Sequence, residues 1–466
     1  QALRDPGVTQ SAVYLDSFDV SYERRYRAAD DELLFTLEPG GEATVSGFSA
    51  APVVLLDVTA PASPVRLTGA TPFPAGDGTW AVRLANGGAA TRSYLAVSPA
   101  RAALPVSVSP MRPSYLSSAS NAADYVLVAP ASLVAAAESL ASYRRSRGLD
   151  TMVVVLEDVH DEFGDGLATP EALRGFFSYA AASWSRAPEY ATLVGRGTYD
   201  YRNVLGIGDN LMPTFLVSTP YGLAASDVSF AVLSSSAGPG LKAIGRLPVL
   251  TSQELLDYVA KVQAHEAAPA GAWQQRVLLV ADNTDVGGAF PSDSDAVGAI
   301  APAGFERTKV YLPFGGDART AIRNAVNSGT LVFNYIGHGG PDRLAGENIF
   351  NKNDVPFLSN AGQLPVFLAM TCSTGNFAMP GFPSLGEAIV LWKSGGAYVS
   401  WAPSGLSLND GARALNEEFF RGAFVDGEKG IGRNATRALE TLDAGGPFGY
   451  MKSIYNILGE PVGRLP

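Results

Sequence analysis

The sequence predicts a mixed α/β protein: a mostly parallel sheet flanked by helices, built as two α/β subdomains and preceded by an N-terminal β-sandwich. Three observations carry this reading. Residues 1–118 hold short alternating segments between Pro, Gly and Asp turns. From Asp124 onward, apolar runs of strand length alternate with helical stretches. That alternation restarts after Trp273. Parallel strands need long crossover connections, so strand–helix alternation points to a parallel sheet with helices on its faces.

In the first region, Glu42–Phe48 and Val53–Val58 alternate with period two, and turns such as Pro39-Gly40-Gly41 and Ala75-Gly76-Asp77-Gly78 separate such segments. Strands at this spacing without helical periodicity indicate a sandwich over residues 1–118. The Ser-rich tract Ser114–Ala123 reads as a linker. Residues 119–466 then form the α/β domain, with subdomains of about 119–270 and 271–466. Tyr125–Val128, Thr151–Leu156 and Ala191–Gly195 read as strands, and Ser132–Arg147 as a helix stopped by Gly148. Thr169 caps a further helix with Pro170 in its first turn. In the second subdomain the strands are Arg276–Ala281, Lys309–Leu312, Leu331–Ile336, Val366–Thr371 and Ala397–Trp401.

Composition narrows the function. The apolar content of 47% supplies large cores, while a net charge of −11 argues against nucleic acid as a partner. No stretch approaches the roughly 18 apolar residues of a membrane span. The chain begins Gln1-Ala2-Leu3-Arg4-Asp5, with neither an apolar signal core nor an initiating Met, as expected of a trimmed sequence. A single cysteine excludes an intramolecular disulfide. An acidic chain with only seven lysines suits an exported bacterial protein.

That cysteine, Cys372, ends the apolar run Leu364–Thr371. Thirty-four residues upstream (372 − 338), the run Leu331–Ile336 ends in Gly337-His338-Gly339-Gly340. Catalytic groups gather at the C-terminal edge of open α/β sheets, where exposed loops stand on rigid strands. A thiol and an imidazole placed there suggest a cysteine nucleophile with a histidine base. The glycines beside His338 let main chain approach a substrate, so the Gly339 and Cys372 N–H groups can polarise the scissile carbonyl as an oxyanion hole. The other histidines fit less well: His160 lies in the charged stretch Glu157–Asp161, read as a loop, and His265 on a helix read as surface. A lone Cys on an apolar strand is more often a small buried hydrophobe, and it is the pairing with His338 that favours catalysis.

Competing chemistries find little support. Zinc wants clustered Cys and His, which one Cys and three scattered His do not supply. Asp282-Asn283-Thr284-Asp285 and Asp293-Ser294-Asp295 are carboxylate-rich but lack EF-hand spacing. Gly195-Arg196-Gly197 lacks the third glycine and the helix of a dinucleotide loop.

The blocks Asn334-Tyr335-Ile336-Gly337-His338-Gly339, Cys372-Ser373-Thr374-Gly375-Asn376-Phe377, Gly386-Glu387-Ala388, Gly396-Ala397-Tyr398 and Tyr455–Pro461 together resemble the gingipain family of secreted bacterial cysteine peptidases, which share a caspase-like fold. The likeness runs over residues 124–466, with a weaker one over the N-terminal region. It implies that Cys372 is the nucleophile and His338 the general base or acid. It also implies an acidic residue, after an upstream strand, that orients the histidine. Asp282 matches that position, 56 residues before His338 (338 − 282), and Asp285 is its rival. Cleavage after a basic residue is implied too, with Asp293, Trp401 and Asp410 as candidates for the primary pocket. The chain departs from the pattern at Gly195-Arg196 and at Gly459-Glu460-Pro461. Structural calcium is allowed for by the resemblance, at no identified ligands, and no cofactor is required for the chemistry.

The expectation is therefore a secreted or cell-surface cysteine endopeptidase acting on protein or peptide substrates through an acyl-enzyme. Two rivals stay open: a surface transpeptidase that uses the same dyad to attach an anchor, and an inert caspase-like scaffold whose sandwich mediates adhesion.

Overall fold

A computed structural model of the chain describes residues 18–101, 113–236, 240–312 and 316–466. The chain divides into two compact units, Gln1–Pro110 and Met111–Pro466.

In the first unit, Glu32–Leu37, Arg92–Val97, Val54–Asp57 and Val65–Leu67 form one antiparallel sheet, and Glu42–Phe48, Trp80–Ala85 and Phe73–Pro74 a second. Leu33, Phe35 and Leu37 alternate inward along the first strand and meet Val45, Phe48 and Val82 of the other sheet in a common core. This is the alternating pattern of a sheet buried on one face.

The second unit holds a ten-stranded sheet. Its order is Glu306–Tyr311, Arg276–Ala281, Val332–Ile336, Val366–Met370, Val399–Pro403, Tyr455–Leu458, Ala243–Leu247, Tyr190–Val194, Tyr125–Ala129 and Thr151–Val155. Every neighbouring pair is parallel except Val399–Pro403 with Tyr455–Leu458. The two runs of strand–helix alternation thus meet in one sheet, as oppositely directed halves. The strand that joins them, Tyr455–Leu458, arrives from far downstream to pair with Ala243–Leu247.

Both faces are covered, which is why the inner strands are apolar at nearly every position. Tyr125, Leu127 and Ala129 pack with Leu140 and Leu255 from the helices Val134–Ser146 and Ser252–Glu266. Val126 and Val128, on the opposite face, pack with Leu173, Phe176 and Phe177 of Pro170–Ser183. Thr169 caps that last helix by accepting from the Ala172 N–H at 3.3 Å.

Three local expectations change. The tract read as a linker is anchored where it is described, since Leu116 is buried in the α/β core and Glu162 accepts from the Leu116 and Ser117 N–H groups. His160 lies on the helix Leu156–Phe163 and is buried, because Leu156, Val159 and His160 share its inward stripe. His265 is not a surface residue: its ring packs against Trp273 and Tyr398, and its Nδ1 accepts from the Leu364 N–H at 3.1 Å.

Candidate active site

Val332–Ile336 and Val366–Met370 are adjacent parallel strands whose last register pair is Ile336 with Met370. The Gly337 N–H donates to the Met370 carbonyl at 3.3 Å, carrying the pairing one residue further. His338 and Cys372 each follow that pair by two residues, on strands that pack roughly 4.8 Å apart. Gly337 has φ +157°, and a Cβ there would collide with the Asp282 Cβ and the Tyr335 hydroxyl. The approach to His338 therefore requires glycine.

The His338 main chain is fixed on both sides. Its N–H donates to Asp282 Oδ2 at 3.1 Å, and its carbonyl accepts from the Tyr335 hydroxyl at 2.5 Å and the Ala345 N–H at 2.8 Å. The imidazole is half exposed, with Nε2 2.9 Å from Asp285 Oδ2 and the ring edge-on to Phe290 at 5.2 Å. Asp285 is itself held by the Gly287 N–H, which donates to its Oδ1 at 2.7 Å. That amide first, and His338 after it, keep the Asp285 carboxyl below its ordinary pKa. Asp282 behaves differently. Burial raises its pKa, while the amides of Asn283 and His338 work against that rise. The two acids the sequence offered thus hold different parts of one residue. Asp285 meets the imidazole ring, and Asp282 meets the main chain that carries it.

Cys372 is partly buried beneath the loop Ser404–Leu408. Its Sγ lies 3.5 Å from both the carbonyl and the amide nitrogen of Ser407. Burial pushes the thiol pKa up, and the Ser407 N–H opposes this. The next residue, Ser373, has φ +51°, a left-handed conformation that turns the chain sharply after the thiol. Its N–H donates to the Gly405 carbonyl at 2.9 Å, tying the turn to the same loop. Ser407 Oγ is in turn 2.9 Å from the Tyr455 hydroxyl, on the strand that joins the two half-sheets.

Of the oxyanion candidates, Gly339 opens a short antiparallel pairing with Leu344, and a Cβ on it would collide with Thr371 Oγ1. Among the described residues the Cys372 N–H has no hydrogen-bond acceptor, leaving it available as a donor.

The three pocket candidates have different surroundings. Asp293 is buried near the start of the helix Phe290–Ile300 and accepts from Asn409 Nδ2 at 2.8 Å and Arg413 Nη1 at 3.1 Å. Trp401 is fully buried between Phe419 and Tyr455, at ring distances of 5.6 and 5.4 Å, so its indole lines no open pocket. Asp410 is exposed in the first turn of Asn409–Phe424.

The sequence model of peptidase family C25 matches residues 118–466, three-quarters of the chain. The chain belongs to peptidase family C25. It is accordingly a cysteine peptidase by family, with the caspase-like fold of the gingipains. The crystal structure of the Arg-specific cysteine proteinase gingipain R superposes with a TM-score of 0.60 at 17% identity, covering 74% of this chain and 78% of that one. The complex of the pro- and mature domains of RgpB from Porphyromonas gingivalis gives 0.60 at 18% identity, over 73% and 80%. A structure described only as a protease gives 0.58 at 16% identity, over 73% and 78%. At these identities the likeness is one of fold. No curated protein matches the sequence.

The departure at Arg196 has a structural role in this C25 chain. Its buried guanidinium lies 3.2 Å from both Asp209 and Glu387 and donates to the Met379 carbonyl at 2.9 Å. It thereby pins the segment following Cys372 to the first half-sheet. Among the described residues no group of three or more His, Cys, Asp or Glu side chains is arranged to hold a metal ion. No helix among them is long and apolar enough to cross a membrane.

Sequence reasoning missed Ser407, Asn456 and the hairpin Leu216–Ala225. Asn456 Oδ1 accepts from the Asp227 N–H at 2.8 Å, and its Nδ2 reaches the Ala225 carbonyl and Ser404 Oγ at 3.3 Å. One side chain thus joins the hairpin, the loop over the thiol and the linking strand. The only signal in the sequence was the Tyr455–Pro461 block, whose contacts lie far along the chain, from 48 residues away at Ser407 to 231 at Ala225.

Proposed function

We infer that this chain is a cysteine endopeptidase in which Cys372 attacks the scissile carbonyl and His338 takes the thiol proton. The thioester acyl-enzyme forms as the C–N bond breaks and His338 returns the proton to the departing amine. Water, deprotonated by the same imidazole, then hydrolyses the thioester. Asp285 orients the ring and stabilises the imidazolium, while the Gly339 and Cys372 amides face the developing oxyanion. The observation that supports this most is the shared register of the two strand ends, Ile336 with Met370, each followed two residues later by one member of the pair. No cofactor enters the scheme. We place the protein outside the cell, as a bacterial secreted or surface enzyme acting on protein or peptide.

The test is mass spectrometry after incubation with peptidyl acyloxymethyl ketones. A single adduct on Cys372, absent from His338→Ala, is expected. An unmodified Cys372 across a panel of such peptides would overturn the reading.

A further inference from the structure

This inference rests on the peptidase reading and concerns what the site accepts. A basic side chain on the acyl side of the scissile bond needs a carboxylate free to receive it, because burying an unpaired cation is costly. Asp293 is not free. Arg413 and Asn409 of its own chain already occupy both of its oxygens. Asp285 is taken by His338 and Gly287, and Asp282 by the amides of Asn283 and His338. Asp410 has no hydrogen-bond or ion-pair partner among the described residues, but it is exposed in a helix first turn, where a pair with a substrate cation stays in water and gains little.

The loop over the thiol carries exposed apolar side chains instead. Ser407, which touches Cys372 Sγ, is flanked by the exposed Leu406 and Leu408. Gly405 of this loop is packed so tightly on the hairpin Leu216–Ala225 that a Cβ on it would lie 3.0 Å from the Ala224 Cβ. That hairpin exposes Tyr221 and Leu223, the latter at 71%. Tyr221 packs edge-on to Tyr450 at 5.8 Å. Large apolar side chains left in water on two adjoining elements beside a nucleophile have an evident use in covering an apolar substrate residue.

We propose that the residue preceding the scissile bond is aromatic or aliphatic, and that it is received by Leu406, Leu408, Tyr221 and Leu223 beside Cys372. Arg413 is the specificity-determining partner that withdraws Asp293 from recognition of a basic residue.

The experiment compares rates of Cys372 labelling by tripeptidyl acyloxymethyl ketones ending in Phe, Leu, Arg or Lys. The full chain is used, with intact-mass readout, and iodoacetamide alkylation is run in parallel as a measure of thiol access. The Phe and Leu probes should label at least about tenfold faster than Arg or Lys, the scale on which pocket contacts discriminate. Leu406→Asp and Leu223→Asp, on separate elements, should each lower the Phe rate at least fivefold, roughly the loss of one apolar contact. Faster labelling by Arg or Lys would overturn the inference while leaving the dyad intact, and its loss in Asp410→Asn would name Asp410 as the receiving acid. A Phe rate unaltered in both leucine variants would also overturn it. Labelling by no peptide probe, with Cys372 still alkylated by iodoacetamide, would remove this pocket and the peptidase reading together.

Discussion

His338 and Cys372 each lie two residues past the end of neighbouring parallel strands, whose last register pair is Ile336 and Met370. Yet each is engaged elsewhere at rest, the imidazole with Asp285 and the thiol with the Ser407 main chain. The proposed mechanism then requires the thiol to exchange its Ser407 contacts for the substrate carbonyl.

Both members of the pair are needed for the same step. Cys372→Ala and His338→Ala should each lower kcat/KM for a cleaved peptide by at least about a thousandfold, and the double variant should lose little more. Additive losses would show that the two residues do not act as a unit.

The two acids should separate under substitution. Asp285→Asn removes the charge facing the imidazole, and kcat should fall roughly tenfold to a hundredfold, a fraction of what general base catalysis contributes. Asp282→Asn weakens the hold on the His338 amide and should lower the melting temperature while leaving the pH profile of kcat in place. Since the folded Asp285 carboxyl lies below its unfolded value, its stabilising effect is present above the ordinary carboxylate pKa. It is lost only as pH falls through the depressed one. The reverse assignment, with kcat sensitive to Asp282 alone, would return the orienting role to that residue.

A thiol raised by burial is protonated at neutral pH in the resting enzyme. Iodoacetamide should therefore alkylate Cys372 more slowly than a free cysteine at the same mildly alkaline pH, with a rate that climbs toward more alkaline pH. His338→Ala should show the same profile. Rapid alkylation below pH 7 that disappears in His338→Ala would instead reveal a preformed thiolate–imidazolium pair.

Arg246 is fully buried, with Nε and Nη2 on Asp227 at 2.9 and 2.7 Å and Nη1 on the Gly195 carbonyl at 3.0 Å. Arg246→Met strands the Asp227 carboxylate, a loss of about 3–5 kcal/mol. In calorimetry that should lower the melting temperature by roughly 5 °C for a unit of this size. Adding Asp227→Asn should recover part of the loss, since the uncompensated charge goes with it.

What was legible in the sequence was local. Arg276–Ala281 was bounded by its apolar run and by Asp282, and Thr169 with Pro170 marked a helix start that the structure bears out. The likeness of the His-Gly and Cys blocks to gingipains led to the family, because those residues surround one short stretch of sheet edge. Trp401 misled because an aromatic at a strand end reads alike whether it packs inward or lines a pocket, and only the placement of Phe419 and Tyr455 decides. His265 misled for a related reason: its helix is amphipathic, but Trp273 and Tyr398 close over the face that periodicity left outside. Ser407 carried no signal at all, since its role arises from a loop folded back by contacts to Ala225 and Tyr455.

The strand Tyr455–Leu458 begins 208 residues after Ala243–Leu247 ends (455 − 247), yet it lies beside it. A pairing over that distance carries a loop-closure cost and forms slowly. While the ribosome is still making the chain, the half-sheet bearing Cys372 and His338 lacks the neighbour whose Tyr455 steadies the loop over the thiol. The catalytic edge is then finished only once the distal segment has emerged. On the proposed mechanism, a nascent chain that has not yet reached Tyr455 would hold both reacting residues beside a loop that lacks that support.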